Sequence, residues 1–293
     1  MKTYNEIYLS ARNVLRQHGV EAYSLEARLL LSHAAGKTTA ELLRDMNLYT
    51  SNTVEKQVSE YVERRLKGEP VAYMTGAWEF YGLPMEVTPD VLIPRMDTEL
   101  LVDTAKSLLV GRKMDARILD LCCGSGCIAC ALGHELPAAR LVAVDISATA
   151  LEICRRNILL NRLGSRILCM QADAVASPPI SVGQFDMIVS NPPYIRSDEI
   201  KELDCSVRNY EPIWALDGGE DGLRFYKGIL KYWKSLLRPG GYILFEVGED
   251  QADEVREMIL SAGFAAADTR RDTLGVERVV IGRMYENSGY HTY

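Results

Sequence analysis

The chain has no apolar run approaching the roughly 20 residues of a membrane-spanning helix. Its N-terminus, Met1-Lys2-Thr3-Tyr4-Asn5-Glu6, lacks a charged-then-apolar signal pattern and carries an acid early, so a cytoplasmic location is the expectation. It also lacks an excess of positive charge: 33 Lys and Arg stand against 40 Asp and Glu, a formal net charge of -7. That balance disfavours broad phosphate neutralisation and with it non-specific nucleic-acid binding, although a local basic groove would not register in the total. A disulfide framework is missing as well. Seven cysteines is an odd number, and four of them, Cys122, Cys123, Cys127 and Cys130, fall within nine residues of one another. No second Cys/His pair stands at zinc-ribbon or zinc-finger spacing, so no metal is expected, and free thiols in a reducing compartment are the reading. No internal repeat is present.

What is there is ordinary in bulk. With 293 residues, 47% apolar and 25% charged, the chain can hold one large domain or two modest ones with a real core. Residues up to about Lys67 show helical periodicity: Ser24 reads as the cap of a helix that Gly36 stops, and Val54 to Leu66 is a second amphipathic segment closed by Gly68 and Pro70. A helical segment of this kind serves either as a packing cap or as a docking platform for a macromolecule. From Trp78 to Val87 the pattern alternates about a Gly82-Leu83-Pro84 turn, a short hairpin. Asp97-Thr98-Glu99 starts a further helix. From Arg117 onward buried strands, near 117–122, 140–145, 166–171, 185–190, 241–247 and 277–283, alternate with helices at 126–135, 147–160, 222–237 and 250–262. Alternation predicts a doubly wound, mostly parallel α/β sheet.

Arg117 to Ala129 reads as strand, tight turn and helix start, with Gly124 and Gly126 letting the backbone approach a ligand. Asp145 ends the next strand, 19 residues after Gly126, where a carboxylate can accept hydrogen bonds from both hydroxyls of a ribose. Gly124-Ser125-Gly126-Cys127-Ile128-Ala129 also matches a dinucleotide fingerprint formally. Two acids shift the reading toward S-adenosylmethionine: Asp120 leads into the loop, and Asp173 follows the third strand, where it can accept from an adenine amine. Helix capping is the alternative role for Asp145 and Asp173.

The tetrapeptide Asn191-Pro192-Pro193-Tyr194 follows the apolar run Phe185 to Ser190 and so sits where a strand ends. Two prolines hold the Asn191 side chain and the Pro192 carbonyl stiffly. Each can accept from one N–H of a planar NH₂ group, and Tyr194 offers an aromatic face beside it. No His or Lys stands in the tetrapeptide as a base, so polarisation and alignment of the amine are the expected contribution, not deprotonation.

Taken in order, Tyr73 to Leu83, Leu92-Ile93-Pro94-Arg95-Met96-Asp97-Thr98-Glu99, the Asp120 to Ala129 loop, Asn191 to Ile195, Tyr210-Glu211-Pro212, Gly218 to Leu223 and Glu277-Arg278-Val279 resemble the bacterial release-factor glutamine methyltransferases of the HemK type over nearly the whole chain. The resemblance implies a class I S-adenosylmethionine-dependent methyltransferase fold behind a small all-helical domain. It implies methyl transfer to the side-chain amide nitrogen, N5, of the glutamine in the Gly-Gly-Gln tripeptide of class-1 peptide chain release factors, with no membrane and no direct nucleic-acid partner. The implied layout is a helical substrate-docking domain over 1–75, a hairpin linker over 76–95, the methyltransferase domain over 96–285 and a tail over 286–293. Carried over, the cofactor positions are Cys122, Cys123, Gly124, Ser125, Gly126, Asp145, Asp173, Ala174 and Asn191. Asn191, Pro192, Pro193 and Tyr194 hold the glutamine, and Asn191, Pro192 and Tyr194 act in catalysis. Cys122 stands where the usual pattern has a glycine, which requires a backbone geometry that a Cβ accepts. Ala174 stands where some relatives carry a bulky residue against adenine. Glu211 and the Gly218 to Gly222 stretch read either as a mobile wall of the site or as a plain helix-entry loop. The competing readings are a methyltransferase for an exocyclic amine of an RNA or DNA base, a nicotinamide oxidoreductase, and a non-catalytic module on the same scaffold.

Overall fold

The computed structural model describes residues 1–111, 113, 115–179 and 182–286; the tail expected over 286–293 lies, from 287 onward, outside them. The chain divides into two units, Met1–Ala77 with Asp204–Tyr210, and Trp78–Leu203 with Glu211–Tyr293.

The first unit is helical: α1 (Tyr4–Gln17), α2 (Tyr23–Ala35), α3 (Thr39–Asp45), α4 (Asn52–Leu66) and α5 (Val71–Thr75), with the short α9 (Cys205–Arg208) joining it from later in the chain. Thr3 with Glu6, and Thr38 with Glu41, close reciprocal capping boxes at the starts of α1 and α3, which satisfies backbone donors that a helix end leaves free. Ser24 is not the cap expected of it. It lies one residue inside α2, and its hydroxyl meets Tyr8 Oη at 2.8 Å, tying α1 to α2. Gly36 does end α2, in the left-handed conformation. Ile7, Leu15, Leu30, Leu31, Leu42 and Val58 are buried between these helices.

The second unit opens with a hairpin, β1 (Ala77–Phe80) and β2 (Leu83–Glu86). Its turn is Tyr81-Gly82, one residue earlier than expected, and Leu83 and Pro84 already belong to β2. There follow α6 (Glu99–Leu109), β3 (Arg117–Leu121), α7 (Cys127–Glu135), β4 (Arg140–Asp145), α8 (Ala148–Leu160), β5 (Ile167–Gln171), β6 (Phe185–Ser190), α10 (Arg224–Tyr232), β7 (Leu237–Glu246), α11 (Ala252–Ser261), β8 (Ala266–Arg271) and β9 (Glu277–Arg283). Seven strands form one sheet in the order β5-β4-β3-β6-β7-β9-β8. β5, β4, β3, β6 and β7 are parallel, and β9 runs antiparallel to both β7 and β8.

Alternate side chains go to opposite faces of this sheet. Ile118, Met187, Val189 and Leu244 pack with α6, α7 and α8, whereas Leu119, Ile188, Ile243 and Phe245 pack with α10 and α11. Both faces are covered, which is why these strands read as unbroken apolar runs. Each large side chain so buried contributes roughly 1.5–3 kcal/mol. The chain leaves β3 toward β4 on one side and returns as β6 on the other, so a crevice opens at the carboxyl ends of β3 and β6.

Candidate active site

The loop after β3 is shaped by its own backbone bonds. Cys123 N–H donates to Val144 O at 3.0 Å and Gly126 N–H to Cys123 O at 2.7 Å. Cys122 has φ of 60°, the left-handed conformation that a glycine adopts without strain. The cysteine therefore keeps the glycine geometry, at a cost of about 1–2 kcal/mol. Gly126 has φ of 78°, and a Cβ there would stand 2.4 Å from Cys154 Sγ, so close packing against α8 also requires a glycine at this position. Asp120 is fully buried; Ala129 N–H donates to its Oδ2 at 3.1 Å, while Oδ1 has no protein partner. Burial pushes its carboxyl up to about 8, against the pull of the Ala129 donor.

Asp145 is tied to that loop. Gly124 N–H donates to its Oδ2 and Ser147 N–H to its Oδ1, both at 2.9 Å. Burial raises its pKa and these backbone donors oppose the rise. The helix cap proper is Ser147, whose hydroxyl accepts from Ala150 N–H. Asp173 closes a turn, accepting from Val175 N–H at 2.9 Å, and the described residues between it and β6 hold no helix. From α8 the buried Asn157 donates to Ser125 O at 2.9 Å and to Glu86 O at 2.9 Å, while Glu86 N–H donates back to its Oδ1. One amide thus clamps the loop to the hairpin.

The tetrapeptide leaves β6 next door. Ser190 Oγ donates to Leu121 O at 2.7 Å, joining the two strand ends. Asn191 Nδ2 donates to the hydroxyl of Thr98 at 3.1 Å, and Thr98 is itself buried. Gln251 Nε2 donates to Tyr194 O at 2.9 Å, with its own Oε1 held by Gly248 N–H. Ile195 N–H donates to Leu216 O and Gly218 N–H to Ile195 O. The Gly218 to Gly222 stretch is therefore a buttress: a Cβ on Gly218 would stand 2.8 Å from Tyr194 Cα, and one on Gly222 would stand 2.5 Å from Tyr194 O. Glu211 is buried, accepts from Ile93 N–H at 3.2 Å and pairs with Arg95, fixing the segment that leads to Thr98.

These elements enclose a cavity of about 380 Å³ bordered by Cys122, Gly124, Asp145, Asp173, Ala174, Asn191 and Pro193, with Asp90, Ile213, Trp214 and Phe225 on its rim. A smaller recess of about 40 Å³ shares Leu92, Cys122 and Asn191 with it and adds Arg95, Thr98, Cys123, Ser125 and Cys127. Gly126, Pro192 and Tyr194 border neither, and the Tyr194 ring packs onto the apolar cluster that holds Tyr226 and Phe245. Ala174 borders the cavity, as do the aromatic side chains of Trp214 and Phe225. Thr98, Asn157, Glu246 and Gln251 were not singled out from the sequence. Glu246-Val247-Gly248, a carboxylate inside an apolar strand end, was the available signal for one of them.

The family profile described as "PrmC N-terminal domain" matches residues 6–76, and that described as "Methyltransferase small domain" matches residues 96–205. The release factor glutamine methyltransferase of Geobacter sulfurreducens is 40% identical over 93% of this chain and 94% of its own, and that of Clostridium acetobutylicum 36% identical over 93% and 95%. The fold is also that of a methyltransferase from Pyrococcus furiosus, at a TM-score of 0.52 and 20% identity over 78% of this chain and 99% of that one. On identity extending over nearly the full length of both partners, the chain belongs to the release factor glutamine methyltransferase family.

Proposed function

We propose that the protein transfers the methyl group of S-adenosylmethionine to the side-chain amide nitrogen, N5, of the glutamine in the Gly-Gly-Gln tripeptide of class-1 peptide chain release factors. The observation that carries the reading is the placement of Asn191. It borders the cavity at the crevice between β3 and β6, and its Nδ2 donates to Thr98, so Oδ1 is the acceptor that the amide has to offer a substrate.

The residues present fit the cofactor. About 380 Å³ lies within the roughly 300–1,000 Å³ of small-molecule sites. Asp145 and Asp173 offer carboxylate lone pairs at two strand ends to hydroxyl and amine donors, and Trp214 with Phe225 gives an apolar flank. Asp120 keeps an orphaned buried oxygen beneath the loop. Bound there, S-adenosylmethionine would supply an electrophilic methyl on a sulfonium sulfur that leaves with the electrons of the broken bond.

The protein's part is to present the amide. An amide nitrogen is a poor nucleophile because its lone pair is delocalised. Asn191 Oδ1 accepts one of its N–H groups, holds the nitrogen toward the methyl carbon and stabilises positive charge as it develops there; the Pro192 carbonyl, the expected acceptor of the second N–H, belongs to a residue that borders neither cavity. The amide proton is lost to solvent during or after N–C bond formation. Holding two reactants in line is worth up to roughly 7–11 kcal/mol in favourable cases. The helical unit, which exposes Leu25, Leu43, Leu48 and Tyr49, is the proposed platform for the body of the release factor.

Mass spectrometry of a class-1 release factor incubated with the protein and S-adenosylmethionine tests this. One methyl group on the Gly-Gly-Gln glutamine, and none on a Gln→Ala control, is the expected result. Asn191→Ala should abolish transfer while S-adenosylhomocysteine still binds by calorimetry; near-wild-type turnover in that variant would sink the account. Transfer to RNA or DNA in place of the release factor would favour the base-amine reading.

A further inference from the structure

Glu246 ends β7 beside the tetrapeptide. In the β6/β7 ladder Ser190 pairs with Phe245, so Asn191 and Glu246 are the next residues of the two parallel strands. Glu246 is only 3% exposed, and its Oε2 has no protein partner. Thr98 and Asn191 stand close enough to its carboxyl group to hold its pKa down, and Asn191 Nδ2 donates to Thr98 Oγ1 at 3.1 Å. Its main chain is pinned by Tyr226, whose hydroxyl donates to Glu246 O at 2.9 Å.

We propose that Glu246 is a positioning residue for methyl transfer: with Thr98 it locks the Asn191 amide so that Nδ2 points inward and Oδ1 faces the amide nitrogen to be methylated. The inference rests on the functional reading above. An ionised carboxylate can only accept, so the Asn191 atom that faces it must be Nδ2. A glutamine at 246 would fill the same space, but its amide could meet Asn191 in either orientation and would enforce neither. The charge adds a second effect. Opposite Nδ2 it draws the Asn191 amide toward its polarised form and makes Oδ1 a stronger acceptor for an N–H group gaining positive charge. Burying an unpaired carboxylate destabilises a fold by several kcal/mol, so its presence here calls for a reason that packing does not supply.

The same geometry makes the device sensitive to pH. Burial pushes the Glu246 carboxyl up to about 7. Asp97, beside Thr98, pushes the same way, while the Thr98 hydroxyl, Arg278 from β9 and the Asn191 amide oppose it. The other titratable groups facing it are Tyr194 after β6, Tyr226 of α10 and Cys127 of α7, all with pKa values raised by burial. Once protonated, Glu246 gains a donor that can bond Asn191 Oδ1 and turn the amide over. Turnover therefore rises with pH through about 7.

The test is a pH profile of kcat, from pH 5.5 to 9, for the full-length protein with an intact release factor. Wild type, Glu246→Gln and Thr98→Val are compared, with S-adenosylhomocysteine affinity measured alongside. Glu246→Gln should bind S-adenosylhomocysteine within about twofold of wild type, lose roughly 10- to 100-fold in kcat, as a misplaced reacting group does, and lose the acid limb near neutrality. Thr98→Val should lower kcat with KM for S-adenosylmethionine little changed, which keeps the idea testable if the glutamine variant does not fold. A wild type that methylates the release factor beside a Glu246→Gln of equal kcat and equal acid limb overturns the proposal alone. A wild type that binds the cofactor and methylates no release factor overturns the functional reading and the proposal with it.

Discussion

Gly218→Ala puts the buttress behind the tetrapeptide to a direct test. The added Cβ would lie 2.8 Å from Tyr194 Cα and 2.9 Å from the Pro193 and Gly222 carbonyl oxygens. All three are backbone atoms, so no flexible side chain can move aside. Ordinary contact begins near 3.4 Å, and restoring it shifts the Asn191 to Tyr194 segment, or residue 218 itself, by roughly half an ångström. Gly218 cannot withdraw freely, because its N–H is bonded to Ile195 O at 2.8 Å. Overpacking of this kind costs about 1–3 kcal/mol of stability. A reacting group displaced by 1 Å loses on the order of 100-fold in rate, so half that displacement should lose about tenfold or more in kcat. S-adenosylhomocysteine affinity should change little, since Gly124, Asp145 and Asp173 stand at the ends of other strands, β3, β4 and β5. Gly263→Ala is the control: its φ is +88° and nothing lies within 4 Å of a new Cβ, so it should lose about 1–2 kcal/mol to left-handed strain and keep kcat. If Gly218→Ala turned over within twofold of wild type at an unchanged Tm, the tetrapeptide would not be held as argued.

Asp120 sets a dependence of stability on pH. Its folded pKa of about 8 lies above the ordinary 3.8, so its contribution is intact below about pH 3.8 and is lost as pH rises through 8, by at most roughly 6 kcal/mol. Asp120→Asn should flatten the fall in urea midpoint between pH 5 and pH 8, and an unaltered slope would show that the group is not buried as described. At position 122, where φ is 60°, Tm should rank glycine at or above cysteine and cysteine well above valine, because a β-branched side chain is a true outlier there. A Cys122→Val protein as stable as wild type would refute the left-handed assignment.

Which parts of this molecule could be seen in its sequence follows from how locally each is encoded. β3, β4 and β6 are apolar runs bounded by turn residues, and both their existence and their parallel arrangement could be read from the alternation with helices. β8 could not. Ala-Ala-Asp-Thr-Arg-Arg is an edge strand with charged, largely exposed side chains, the composition that keeps a sheet edge from pairing with other chains, and it leaves no apolar periodicity. β7 begins four residues earlier than expected because Arg238-Pro239-Gly240-Gly241 reads as a turn, whereas the structure carries it as a register irregularity within the strand. The turn at Tyr81 was displaced for a related reason: a tyrosine with φ of 54° gives no composition signal.

At the site the same division holds, and it bears on what the site does. Asn191, Asp145 and Cys122 to Gly126 are legible because each is a residue type at a strand end, and the strand announces itself. Thr98, Asn157, Glu246 and Gln251 act across 93, 71, 55 and 57 positions of sequence: Thr98 on Asn191, Asn157 on Glu86, Glu246 on Asn191 and Gln251 on Tyr194. Three of these four reach the tetrapeptide, and they come from the entry to α6, the end of β7 and the entry to α11. Prolines alone stiffen the backbone of Asn191 to Tyr194 but leave the Asn191 amide free to rotate about χ2, a broad and roughly two-fold torsion. An acceptor that can turn over presents N–H to an N–H half of the time. Orientation of that one amide must therefore come from outside the motif, and the buried Thr98 and Glu246 beside it are the groups placed to supply it.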